Sequence, residues 1–325
     1  MSFVRFLGTG SAAPEKVLAN ADLEKIVDTS DEWIQTRTGI RERRIAEPGT
    51  ATSDIAYDAC VRALESASVD PVDLDAIIVG TVTPDYLFPS TACLLQSRLG
   101  ARHIMAFDLL AGCSGFMYAL QAGKGIIDGG NAKKVLVVGA ETLSTIMDFE
   151  DRSTCILFGD GAGAVVLSKS DTPGIMSITM GANGSQWELL YMPGGGSRVP
   201  ASEESIKNRA HFLKMAGQEV FKEAVKAIES SSLEAIRLAD LTPDDIDLFI
   251  PHQANYRILE AVRKRIGLPS EKVFSNLDRY GNTSSASVPI ALDEAVRSGR
   301  VKKDDKILIS VFGAGFTWGA AVVNW

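Results

Sequence analysis

Asp70-Pro71-Val72-Asp73-Leu74-Asp75 runs straight into the apolar segment Ala76 to Val79, and Leu241-Thr242-Pro243-Asp244-Asp245-Ile246-Asp247 runs into Leu248 to Ile250. A helix-like segment precedes each, Asp54 to Ser68 in the first case and Gln218 to Ala239 in the second. Helix, Pro/Asp turn and short apolar strand therefore recur in the same order. The two copies also end alike. Lys134 to Val138 reads as a strand and is followed by Gly159-Asp160-Gly161-Ala162-Gly163 and the strand Ala164 to Leu167. Lys306 to Val311 is followed by Gly313-Ala314-Gly315-Phe316 and the strand Ala320 to Val323. A seam near Lys169 to Gly174 divides the chain into two pseudo-equivalent halves, 1–172 and 173–325. Strands apolar on both faces lie buried in parallel or mixed sheets, so the class is layered α/β. Such sheets bind ligands at strand ends, which predicts a site assembled from both halves in the cleft between them.

The composition narrows the chemistry. The 325 residues are 46% hydrophobic and 23% charged, which suits a globular enzyme and can fill a sizeable core. No apolar run approaches the roughly 20 residues of a membrane span, and the start of the chain reads as a strand, Phe3 to Leu7, which predicts a cytoplasmic protein without membrane association. A net charge of −8 argues against nucleic-acid binding. The cysteines Cys60, Cys93, Cys113 and Cys155 are scattered, with no paired spacing for a disulfide framework or a zinc site, so no metal is expected. The glycine strings Gly8-Thr9-Gly10 and 159–163 lack the dinucleotide-binding pattern and read as tight turns, and no Walker A sequence is present.

Cys113, in Ala111-Gly112-Cys113-Ser114-Gly115-Phe116, falls between the apolar run Ile104 to Leu110 and the helix-like Met117 to Ile127. A helix amino terminus favours an anion, which predicts a lowered thiol pKa and a nucleophilic thiolate. The other three cysteines read as small core hydrophobes. His252, in Pro251-His252-Gln253-Ala254-Asn255, occupies the matching corner of the second half, whereas His103 and His211 have no such context. Asn282, in Tyr280-Gly281-Asn282-Thr283-Ser284, reads as a helix cap or as a donor that joins His252 at a developing oxyanion. The turn Gly313-Ala314-Gly315 can bring a further N–H to the same place.

Together with Thr29 to Ile34, Arg37 to Arg43 and Gly315-Phe316-Thr317-Trp318-Gly319, these motifs resemble the β-ketoacyl-acyl-carrier-protein synthase III family nearly end to end. The resemblance implies a thiolase fold of α-β-α-β-α layers. It also implies a homodimer that condenses a short acyl-CoA, acetyl-CoA above all, with malonyl-acyl-carrier protein and needs no cofactor. By that likeness Cys113 carries the acyl group, with its own N–H and that of Gly315 as the oxyanion hole, and His252 and Asn282 hold the malonyl thioester. Trp33, Arg37 and Arg152 would meet the CoA nucleotide. Gly217, Phe221 and Asn255 would line the pantetheine tunnel, and Lys222 and Arg257 would meet the acidic carrier protein. Phe88 would reach across the dimer to limit acyl length. Ala314 and Tyr256 depart from the common glycine and leucine. Two other readings use the same three residues: a related condensing enzyme of secondary metabolism, and a thiol-dependent thioester hydrolase in which histidine is the thiol's base and asparagine orients it.

Overall fold

The computed structural model describes residues 3–325. One sheet has five strands: β1 (Phe3–Ala12), β2 (Ala76–Gly80), β3 (Met105–Leu109), β4 (Lys134–Glu141) and β5 (Gly161–Ser170), in the order β1-β5-β4-β2-β3. A second has four: β6 (Ile175–Ala182), β7 (Leu248–Pro251), β8 (Lys306–Gly313) and β9 (Thr317–Asn324), in the order β6-β9-β8-β7, and two small two-stranded sheets lie outside both. The pairing senses repeat. β1 with β5 and β6 with β9 are antiparallel, as are β5 with β4 and β9 with β8, while β4 with β2 and β8 with β7 are parallel. The second sheet thus reproduces the first without the edge strand β3.

Alternation along the strands explains the layering. Ile78, Val137 and Val165 face inward with Ile250, Ile309 and Ala321 of the other sheet, and all pack on two helices sandwiched between the sheets. These helices are α3 (Gly115–Asp128) and α6 (Ser287–Arg297), which bury Phe116, Met117 and Leu120, and Val288, Leu292 and Ala295. The neighbouring strand residues Ile77, Val79, Leu136 and Val166 face the opposite way, onto α2 (Thr52–Ala67). That helix presents Ile55, Ala59 and Ala63 beside Ala56, Cys60 and Leu64, a stripe with helical period. On the outer face of the second sheet, Phe249, Leu308 and Val322 pack against α4 (Gly217–Leu238) and α5 (Tyr256–Ile266). These apolar cores join five layers in the α-β-α-β-α arrangement of the thiolase fold.

The glycine strings behave differently from the turns expected of them. Gly8 and Gly10 lie within β1, and a Cβ on either would come within 2.4 Å of the backbone of α2. Gly161 and Gly163 lie within β5, where a Cβ on Gly163 would sit 2.7 Å from the backbone N of Ile290 in α6. These glycines let helices press directly on strands.

Candidate active site

Cys113 stands in the single 3₁₀ turn Gly112–Ser114 that links β3 to α3. His252 follows β7, its backbone N–H donating to the Ser310 carbonyl at 2.7 Å. Asn282 is held from both sides: its N–H donates to the Leu157 carbonyl at 2.8 Å, and its carbonyl accepts the Gly159 N–H at 3.0 Å. All three side chains line one cavity of about 720 Å³. The loop 313–315 lies backbone to backbone against the Cys113 turn, since a Cβ on Gly313 would meet Cys113 N at 2.3 Å. Thr317 Oγ1 donates to the Ala111 carbonyl at 2.7 Å, and Ser114 Oγ donates to the Thr317 carbonyl at 3.1 Å, stitching loop to turn. Among the described residues, neither the Cys113 N–H nor the Gly315 N–H donates to another residue's carbonyl in the loop and turn hydrogen bonds. Of this loop, Gly313 shares the cavity lining with Cys113, whereas Gly315 is not among the lining residues.

Burial governs the charge states. The thiol of Cys113 is pushed up to about 12, with desolvation as the leading cause and the charge of Glu141 adding to the rise. Burial thus shifts the thiol in the direction opposite to the lowering expected at the helix terminus. His252 is driven down to about 3 by its burial, so the imidazole is neutral. Its Nδ1 lies 2.6 Å from Ser287 Oγ. The Asn282 side-chain oxygen accepts the Ser284 N–H at 2.8 Å, which leaves its NH₂ as the donor available to the cavity.

The cavity continues outward between α4 and α5, past Phe221, Gly217 and Asn255. Asn255 also caps α5 by accepting the Arg257 N–H at 2.9 Å. Lys222 and Arg257 are exposed at this end, and the Arg257 guanidinium lies 5.9 Å from the Phe221 ring centroid. Trp33 sits on α1 (Asp31–Thr38), its N–H capped by Ser30 Oγ. Arg37 and Arg152 stand 5.3 and 4.9 Å from its ring centroid. Trp33 and Arg37 line the cavity, while Arg152 reaches it only through Trp33. Phe88 is 85% exposed and lies outside the cavity of its own chain.

Two supporting residues escaped the sequence reading. The fully buried Glu141, at the end of β4, accepts hydrogen bonds from Thr81, Thr83 and the Val82 N–H on one oxygen, and from Ser284 and Ser285 on the other. It thereby ties the Asn282 loop to the half that carries Cys113. Ser287, at the start of α6, backs His252. Only the hydroxyl residues Thr283, Ser284, Ser285 and Ser287 hinted at either role. Among the described residues, no cluster of three His, Cys, Asp or Glu side chains could hold a metal ion.

A duplicated pair of sheets around two central helices, with cysteine from one half and histidine and asparagine from the other meeting at their junction, defines a thiolase-fold condensing enzyme. Residues 107–184 match the family described as 3-oxoacyl-[acyl-carrier-protein] synthase III, and residues 236–325 match that family's C-terminal portion. The chain is 58% identical over 320 residues to the β-ketoacyl-[acyl-carrier-protein] synthase III of Caldanaerobacter subterraneus subsp. tengcongensis, covering 98% of this chain and 97% of that one. The crystal structure of 3-oxoacyl-[acyl-carrier-protein] synthase III from Aquifex aeolicus superposes with a TM-score of 0.92 at 48% identity, covering 99% of this chain and 100% of that one. The priming β-ketosynthase of the R1128 polyketide pathway also gives a TM-score of 0.92, at 38% identity, covering 99% of this chain and 96% of that one. The chain belongs to the β-ketoacyl-acyl-carrier-protein synthase III family of acyltransferases.

Proposed function

We propose that this protein initiates fatty-acid synthesis by joining a short acyl-CoA, acetyl-CoA in the first instance, to malonyl-acyl-carrier protein. The convergence of Cys113, a neutral His252 and the Asn282 amide on one buried cavity carries the reading. In the first half-reaction the Cys113 sulfur attacks the acyl-CoA carbonyl while the N–H groups of Cys113 and Gly315 take the oxyanion. CoA then leaves as its thiolate and takes up the proton lost by Cys113. In the second, the malonyl thioester carbonyl binds to His252 and Asn282. Carbon dioxide departs, its bonding electrons form an enolate held by those donors, and the enolate carbon attacks the acyl-Cys113 carbonyl. The C–S bond breaks, the Cys113 sulfur takes a proton from solvent to regenerate the thiol, and the β-ketoacyl group remains on the carrier.

Trp33, Arg37 and Arg152 are suited to the CoA nucleotide by stacking and charge, with Gly217, Phe221 and Asn255 along the pantetheine arm. Lys222 and Arg257 offer the carrier protein a basic contact. The edge strand β3, followed directly by the exposed Leu110, and the exposed Leu87 and Phe88 favour a homodimer in which Phe88 of a second copy trims the acyl pocket. No cofactor is needed by this chemistry. We read the halves as 1–172 and 173–325 and the setting as cytoplasmic.

A hydrolase would need Asn282 behind the histidine. Here Ser287 occupies that position and Asn282 is bonded to Ser284. The similarity to the R1128 enzyme keeps a secondary-metabolic primer as the second reading, which a panel of acyl-CoA primers decides. His252→Ala and Asn282→Ala are expected to retain acylation of Cys113 and to lose malonyl decarboxylation by about 10²–10³-fold. Equal loss of both steps in a folded variant would refute this division of labour.

A further inference from the structure

The hydrogen-bond partners of Ser287 determine which ring nitrogen of His252 bears the proton. Ser287 Oγ lies 2.6 Å from His252 Nδ1 and accepts the Gln253 N–H at 3.3 Å. Ser287, His252 and Gln253 are all buried, at 2%, 3% and 1% exposure. A hydroxyl offers one proton, and among the described residues Nδ1 is the one acceptor within reach of this one. If Nδ1 carried the ring proton it would donate to Ser287, and the buried hydroxyl proton would be stranded without an acceptor. With Ser287 donating to Nδ1, each of these groups is satisfied. The ring proton then resides on Nε2, which has no protein partner among the described residues, on a ring that lines the cavity.

We infer that Ser287 is a positioning residue that locks His252 as the Nε2–H tautomer, a fixed hydrogen-bond donor toward the cavity. A donor there suits an enolate oxygen. It cannot also remove the Cys113 proton through Nε2, so the lock favours decarboxylative condensation over base-assisted hydrolysis. That catalytic consequence rests on the proposed condensing function, whereas the tautomer does not.

Nitrogen-15 NMR of the full-length protein labelled only at histidine tests the lock, with His252→Gln assigning the signal among the three histidines. The wild type is expected to show a protonated Nε2 and an unprotonated, hydrogen-bonded Nδ1, and a protonated Nδ1 overturns the inference. Ser287→Ala should mix the two tautomers and slow malonyl decarboxylation about tenfold, the weight of one hydrogen bond, with a smaller effect on acylation. Ser287→Thr should restore both the spectrum and the rate. An unchanged tautomer in Ser287→Ala overturns the role of Ser287. If Ser287→Ala does not fold, the wild-type and Ser287→Thr spectra decide. A locked Nε2–H tautomer in a protein that never decarboxylates a malonyl thioester supports the lock and removes the condensing function instead.

Discussion

Desolvation sets the protonation of both titratable side chains at the reacting centre. With the Cys113 thiol pushed up to about 12, the free protein holds it as a thiol at neutral pH. Its alkylation by iodoacetamide should therefore rise about tenfold per pH unit from pH 7 to 10. A plateau near neutrality would contradict this and restore a helix-stabilised thiolate. For His252 the folded value, about 3, lies below the ordinary 6.5. The unfolded chain therefore binds the additional proton, and the stabilisation is complete above about pH 6.5 and lost as pH falls toward 3. Urea unfolding between pH 7.5 and 5 should show stability falling with acid, with a shallower fall in His252→Gln; equal slopes would contradict it. The corners holding Cys113 and His252 were legible in the sequence because strand-to-helix junctions have recognisable flanks. Ser287 was not, since its contact with His252 spans 35 residues and periodicity carries no sign of such a pair.

At the scale of elements, strand runs and helix faces could be read directly, because burial on one or both faces leaves a period in the sequence. The glycine strings misled for a physical reason: a glycine that permits close helix-on-strand packing is indistinguishable, one residue at a time, from a glycine that permits a turn. Gly163→Ala would drive a Cβ against the Pro289 and Ile290 backbone of α6. Such overpacking is expected to cost about 1–3 kcal/mol and lower Tm, as thermal unfolding would reveal, and an unchanged Tm would mean that α6 can yield there. Glu141→Gln places an NH₂ group against hydroxyl and N–H donors in the network joining β4 to the Asn282 loop. A loss of about 1–3 kcal/mol is expected, with unfolding in denaturant as the check, and wild-type stability would show that the network is replaceable.

Across the whole molecule, duplication brings opposite ends of the sequence to one cavity, and the repeated helix, turn and strand order foretold it. What the order could not supply is that, among the described residues, β3 has no counterpart in the second sheet and lies at an edge, followed directly by the exposed Leu110. Sedimentation should find a dimer that Leu110→Glu weakens, and a wild-type monomer at micromolar concentration would contradict the proposed assembly. The central claim is the sequence of two acyl transfers through Cys113. It is tested most directly by intact-protein mass spectrometry of the wild type and Cys113→Ala after exposure to short acyl-CoAs and then to malonyl-acyl-carrier protein. An acyl adduct is expected on the wild type alone, stable in water and discharged by the malonyl partner to yield a β-ketoacyl product. No adduct, or one that drains into water without the malonyl partner, would contradict it.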